Sequence, residues 1–256
     1  MSGARLLVDI GNSRIKWVLA TDSVWTPGLP FPTHDGSLAA ALDRHWSSLQ
    51  KPKAVAVSNV AGPEIARILD HWVGNHWGIP VHYAQSEARL GHVINGYSKP
   101  EQLGVDRWLG LVGLQASYSL PACLVDCGTA ITLDFLDASA RHHGGLIAPG
   151  LETMRSSLLT DTQGLNVPMI GPSIYDSPCL GQDTESCVRS GCIMACAGLV
   201  DKSLQGLMAA KDGPIQLVLT GGDAKSIGTH LSFPFVLDEA IVLRGLLVLS
   251  QSRQAK

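Results

Sequence analysis

One internal repetition limits the folds open to this sequence more than any other feature. Leu7-Val8-Asp9-Ile10-Gly11-Asn12-Ser13 aligns with Leu124-Val125-Asp126-Cys127-Gly128-Thr129-Ala130. Each copy is a short apolar run that delivers an aspartate two residues before a glycine, the pattern of a buried strand entering a tight turn. The copies stand 117 positions apart in a chain of 256 residues. That spacing predicts two similar α/β lobes, each opening with a strand, an Asp-x-Gly turn and a second strand, with the turns facing a shared cleft. The boundary is expected near Tyr118 to Pro121, giving lobes 1–118 and 119–256.

After each hairpin the apolar period changes from two to that of a helix. In the first lobe SLAAALDRHWSSL reads as a helix, AVAVSNV as a buried strand and PEIARILDHWVGNH as a helix with Pro63 in its first turn. In the second, ESCVRSGCIMACAGLVDKSLQGLMAA is a long helical run, IQLVLTGG a strand ending in a glycine turn, and DEAIVLRGLLVLSQS a closing helix.

Composition removes several partners. A net charge of -3, from 19 basic and 22 acidic residues, gives no field to hold a polyanion, which excludes nucleic acid and anionic membrane as main partners. Asp9 follows only three consecutive apolar residues, so the N-terminus lacks the pattern of a signal peptide. No uncharged apolar stretch approaches the roughly 18 residues of a membrane span, AIVLRGLLVL being broken by Arg244. A cytoplasmic protein with a small-molecule substrate is expected. The six cysteines form no CxxC pair and read as buried thiols without metal. Cys192 and Cys196, four apart, share one face of an apparent helix. His142 and His143 precede Gly144-Gly145 with no carboxylate at ligand spacing, and read as loop residues.

No two glycines stand two apart, so GxGxxG is absent, as are GxxxxGK[ST], GxSxG and HExxH. A nucleotide, if bound, needs another device, and DIGNSRIK, Asp9 to Lys16, has its parts. Gly11 permits close backbone approach, Asn12 and Ser13 are small polar donors, and Lys16 is a cation. Asp9 at the strand end is placed to hold Mg²⁺ directly or through water. An ordinary hairpin turn would look the same, but the second copy, DCGTAIT from Asp126 to Thr132, allows two turns to close on one phosphate chain. LTGGDA ends a strand with Gly221 and Gly222, which would let a base or ribose approach the backbone. In GVDR, Gly104 to Arg107, just before an apolar helix, Asp106 could accept a proton from a substrate hydroxyl while Arg107 pairs with a substrate carboxylate. A helix-capping ion pair is the plain alternative.

Together these segments resemble the type III pantothenate kinase family of the acetate and sugar kinase/Hsp70/actin superfamily. The resemblance runs nearly end to end: DIGNSRIK, Tyr97 to Arg107 with GVDR, DCGTAIT, GGLIAPGLETMRSSL, GQDTESCVRSG around Thr184, LTGGDA and the terminal VLRGL. It implies two ribonuclease H-like (actin-like ATPase) lobes around a nucleotide cleft, and ATP-dependent phosphorylation of pantothenate at the first step of coenzyme A synthesis. It further implies that Asp9, Ile10, Gly11, Asn12, Ser13, Arg14, Ile15 and Lys16 form the ATP phosphate segment, with Thr129 a further ATP contact. Asp126 would hold a monovalent cation, potassium or ammonium. Asp106 would be the proton acceptor, with Tyr97, Gly104, Val105 and Arg107 as pantothenate contacts. Thr184 would be another substrate contact, near the interface of a homodimer. Ser13 stands where many relatives have Thr and Cys127 where a small Ala is common. Neither change removes a needed group.

Two other readings accompany this one. A kinase of the same superfamily acting on another small hydroxy acid or a sugar would keep the ATP-side motifs and differ around Tyr97, GVDR and Thr184. A non-catalytic nucleotide-binding regulator would keep the fold without turnover, and the intact Asp106 speaks against it.

Overall fold

The structure is a computed structural model that describes residues 3–21, 24–34, 36–161, 180–211 and 213–253. Its contacts divide the chain into two units, residues 1–117 with 240–256, and residues 118–239.

The first unit opens with strands β1 (Arg5–Ile10) and β2 (Arg14–Ala20), followed by β3 (Trp25–Pro27), β4 (Phe31–Pro32), helix α1 (Leu38–Trp46), β5 (Ala54–Asn59), α2 (Pro63–Trp77) and β6 (Val81–Tyr83). A small hairpin of β7 (Arg89–Leu90) and β8 (Val93–Ile94) leads to a 3₁₀ turn and α3 (Val105–Ser117). The main sheet runs β3-β2-β1-β5-β6, with β4 on β2. β1 is antiparallel to β2 and parallel to β5. Strand alternation sorts its residues cleanly. Leu6, Val8, Ile10, Ile15, Trp17, Val55 and Val57 enter one core with Leu42, Trp46, Leu69 and Trp72 from α1 and α2. Leu7, Asp9, Lys16, Ala56 and Ser58 therefore take the opposite face.

The second unit repeats the beginning of the first. It comprises β9 (Ala122–Cys127), β10 (Ala130–Leu136), β11 (His142–Pro149), α4 (Leu151–Asp161), α5 (Thr184–Lys211), β12 (Gln216–Thr220), α6 (Ala224–Gly228) and β13 (Val236–Leu237). Its sheet order is β11-β10-β9-β12-β13, with β9 antiparallel to β10 and parallel to β12. β1 and β9 share one burial pattern, four buried residues, a half-buried aspartate and a buried residue before the turn. The duplication is thus structural as well as sequential. α5 is long and apolar enough, by length and composition, to cross a membrane. Here Ile193, Ala197, Val200 and Leu204 bury one side of it in the core, and the Asp201 carboxylate accepts hydrogen bonds from the Ser232 amide and hydroxyl. It reads as the core helix of this unit.

The closing helix α7 (Ile241–Ser252) departs from expectation. It belongs with the first unit, not with the lobe 119–256 in which its place in the sequence puts it. The reason is a glycine-on-glycine crossing with α3. A Cβ on Gly113 would overlap the Ile241 carbonyl oxygen, and one on Gly245 the Leu109 carbonyl oxygen. Only glycines let the two backbones approach this closely.

Two further expectations change. Asp106 and Arg107 lie within the first turn of α3 rather than ahead of it. His142 and His143 are strand residues of β11, because the reversal of the chain occurs at Asp137–Arg141, and the following glycines lie within the strand at an irregularity in its register with β10, Gly144 having φ +95°. Their carboxylate partners come across the hairpin, not along the sequence: His142 Nε2 meets Asp134 at 2.9 Å in the interior and His143 Nε2 meets Asp137 at 2.6 Å at the surface. Among the described cysteines, Cys123, Cys127, Cys192 and Cys196 are buried and Cys187 is exposed, while Cys179 lies outside the described residues. Burial pushes the Cys123 thiol up to about 12 and the Cys196 thiol up to about 11, so both are packing groups rather than nucleophiles at neutral pH.

Candidate active site

In the first unit the chain turns from β1 into β2 at Gly11–Arg14, closed by the Gly11 amide donating to the Arg14 carbonyl at 3.0 Å. Asn12, Ser13 and Arg14 are exposed at this turn. Ile10 and Ile15 are core residues with 1% exposure each, so of the eight residues 9–16 these two can serve a ligand only through their backbone. Asp9 stands directly opposite Lys16 on β2 and beside Ser58 on β5. Register partners project to the same face, which gathers a carboxylate, an ammonium and a hydroxyl at the strand end next to the turn.

That set suits a divalent ion carrying phosphate. The Asp9 Oδ1 atom is buried, and the wholly buried Ser58 hydroxyl has no hydrogen-bond partner among the described residues. A buried polar atom of this kind costs stability unless some state of the protein satisfies it. No group of three or more His, Cys, Asp or Glu side chains gathers among the described residues. A hard cation here depends on one carboxylate, water and phosphate oxygens, the habit of Mg²⁺.

Five of the expected substrate residues, Tyr97, Gly104, Val105, Asp106 and Arg107, come together at the start of α3. Arg107 is 9% exposed and its guanidinium donates through Nη1 to the Tyr97 hydroxyl at 2.9 Å. Its Cζ also lies 5.7 Å from the centre of the Tyr97 ring, a cation-π approach. Asp106 is half-buried, and its Oδ1 accepts from the Arg107 amide at 2.7 Å. A Cβ on Gly104 would stand 2.7 Å from that same Oδ1 and displace the Asp106 carboxylate, and the Gly104 carbonyl accepts the Trp108 amide at 2.9 Å. Val105 is the first residue of the helix.

Asn95 holds this arrangement in place. It is 7% exposed. Its side-chain amide donates to the Glu87 and Pro100 carbonyls at 3.2 Å and its Oδ1 accepts the Tyr97 amide at 3.0 Å. Sequence reasoning passed over it, although Asn95-Gly96 is a turn signal that could have marked it. Thr33 was missed too. Its hydroxyl donates to the Gly11 carbonyl at 2.8 Å and its amide to the Ser13 carbonyl at 3.1 Å, across a gap that carries no motif.

In the second unit the β9 turn and the β12 turn meet. Gly221 has φ +94°, a left-handed conformation that favours glycine, and a Cβ on it would fill the space against Asp126 Oδ1 and the Cys127 carbonyl. The Asp223 amide donates to the Cys127 carbonyl at 3.0 Å. The Thr129 carbonyl accepts the Gly150 amide at 3.0 Å and the Thr153 hydroxyl at 2.6 Å. The Asp126 carboxylate and the Cys127 carbonyl thus stand together against Gly221. Gly222 has open space about its α-carbon. Thr184, the first residue of α5, is exposed, and the Asp183 carboxylate caps the helix by accepting the Ser186 amide at 2.8 Å.

A family model described as Type III pantothenate kinase matches residues 5–205. The chain is 37% identical to a Type III pantothenate kinase of Burkholderia multivorans, with 100% of both chains covered. It is 35% identical to one of Nitrosococcus oceani, with 94% of this chain and 91% of that one covered. Among solved structures it resembles a putative Baf family transcriptional activator from Campylobacter jejuni, at TM-score 0.55, 18% identity, and coverage of 97% of this chain and 99% of that one. It also resembles MreB 5 of Spiroplasma citri bound to AMPPNP, at TM-score 0.55 and 9% identity, covering 100% and 98%, and a glucokinase from an Antarctic psychrotroph, at TM-score 0.51 and 12% identity, covering 98% and 100%. These structural likenesses show the actin-like ATPase and sugar kinase fold, whose members differ in what they do.

Proposed function

The chain belongs to the type III pantothenate kinase family, and we propose that Asp106 is the proton acceptor of the reaction that membership assigns. That reaction is ATP-dependent phosphorylation of pantothenate, the first step of coenzyme A biosynthesis, with a divalent metal. The observation that carries the proposal is the tie of Arg107 to Tyr97 beside Asp106 at the head of α3. A planar cation held by a phenol is a ready partner for the pantothenate carboxylate. Gripping that carboxylate would leave the far hydroxyl to be oriented by Asp106. Phosphoryl transfer passes through a loose transition state, so Asp106 needs only to orient the hydroxyl and take its proton late, while transfer runs directly and in line.

The remaining roles follow by position. Asp9 to Lys16 hold the ATP phosphates, Ile10 and Ile15 through their backbone, and Asp9 also binds Mg²⁺ directly or through water. The ion supplies neutralisation of charge on the phosphate oxygens when bound. Thr129 is a further ATP contact, and Gly221 and Gly222 admit the base or ribose. Gly104 and Val105 line the pantothenate site with Tyr97, and Thr184 adds a contact near the interface of a homodimer. The protein works in the cytoplasm.

Asp126 binds potassium or ammonium, supported by the Cys127 carbonyl oxygen beside it and the close-fitting Gly221. Replacing potassium with sodium at constant ionic strength is therefore expected to lower kcat/KM about tenfold, on the order of one lost charge-assisted contact. Steady-state rates in the two salts check this, and equal rates would leave Asp126 a purely structural role.

A further inference from the structure

The Gly11–Arg14 turn is closed by the Gly11 amide on the Arg14 carbonyl and carries three exposed residues. A further hold comes from outside the turn. Thr33, 3% exposed, follows β4, whose Pro32 and Phe31 pair with Arg14 and Ile15. From there it reaches both ends of the turn at once, with its hydroxyl on the Gly11 carbonyl and its amide on the Ser13 carbonyl. β4 is itself anchored. Phe31 is buried, meets Trp46 edge-on at 6.2 Å and stacks on His45 at 4.5 Å. The turn is thus bolted through Thr33 to the aromatic core.

We propose that Thr33 is a positioning residue for nucleotide binding, acting through the Gly11 and Ser13 carbonyls it holds. Holding those two carbonyls sets the orientation of the Gly11–Asn12 and Ser13–Arg14 peptide units, which carry the Asn12 and Arg14 amides of the phosphate segment. Preorganisation of this kind raises affinity by removing the ordering cost from the binding step. A β-branched side chain suits the task, because its χ1 is stiff and the hydroxyl is held in one direction. Thr33 touches no nucleotide in this account, and the inference rests on the reading of residues 9–16 as the phosphate segment.

The test is equilibrium ADP binding by calorimetry on the full chain, together with KM and kcat, for Thr33→Val, Thr33→Ser and Lys16→Ala. Valine keeps the shape and removes the donor. Thr33→Val is expected to weaken ADP and raise the KM for ATP about fivefold to tenfold, as one lost hydrogen bond would. Its kcat at saturating ATP and its KM for pantothenate stay within about twofold of the parent, and Thr33→Ser restores ADP affinity. A merely structural threonine would lower the melting temperature without this split. If Thr33→Val does not fold, Thr33→Ala is measured in its place. Unchanged ADP affinity in the variant lacking the hydroxyl overturns the inference. If Lys16→Ala weakens ADP while that variant does not, Thr33 alone loses its role; if neither weakens it, the phosphate-segment reading fails as well.

Discussion

Asp106→Asn is expected to lower kcat about a hundredfold to ten-thousandfold, the span that a positioned general base contributes, while the KM for ATP stays within about twofold. The substitution keeps the size of the side chain and its ability to accept from the Arg107 amide, so the head of α3 keeps its shape. What it removes is the capacity to take a proton. ATP is assigned to residues 9–16, and no contact with it is asked of Asp106, hence the asymmetry between kcat and KM. Steady-state kinetics with each substrate varied in turn measures both. An unchanged kcat would make Asp106 a helix-capping residue.

The second large effect is on stability. Gly245→Ala is expected to destabilise the protein by about 3 kcal/mol, the upper part of the range for overpacking, and to lower the melting temperature by roughly 10 °C. The added methyl overlaps the Leu109 carbonyl oxygen, a backbone atom that cannot rotate away. The gain in helix propensity from alanine, about 1 kcal/mol, does not offset this. Gly74 in α2 provides the opposite case, because it is exposed and a Cβ there meets nothing within 4 Å. Gly74→Ala is therefore expected to stabilise by up to about 1 kcal/mol. Thermal unfolding of the two variants, followed by circular dichroism, gives shifts of opposite sign. The Gly245 result also bears on function, since α7 packs along α3 and α3 carries Asp106 and Arg107.

How far the sequence reveals all this depends on what kind of signal each feature leaves. The two strand-turn-strand openings were legible because an Asp-x-Gly turn after an apolar run leaves the same local trace twice, around Asp9 and Asp126. α2, β5 and α5 were legible from their patterns to within a residue at their ends, whereas the expected first helix ran three residues past the end of α1 at Trp46. The Tyr97 to Arg107 cluster was legible only through resemblance, as an Asp-Arg dipeptide by itself says little. What remained hidden was tertiary. Gly113 and Gly245 are ordinary helix glycines in sequence, and only their crossing sends α7 to the first unit. His142 and His143 looked like loop residues because their carboxylates, Asp134 and Asp137, lie across a hairpin rather than at helical or turn spacing. Thr33 and Ser58 meet the Asp9–Lys16 segment through strand pairing, a relation that no single-sequence spacing encodes.

The most direct measurement is ADP release by the purified protein with Mg-ATP and potassium, with and without pantothenate. Release that requires pantothenate, yields one phosphorylated product per ADP and is abolished in Asp106→Asn is the predicted result. Release at the same rate without pantothenate, or none despite bound ATP, would contradict the assignment of this chain's reaction.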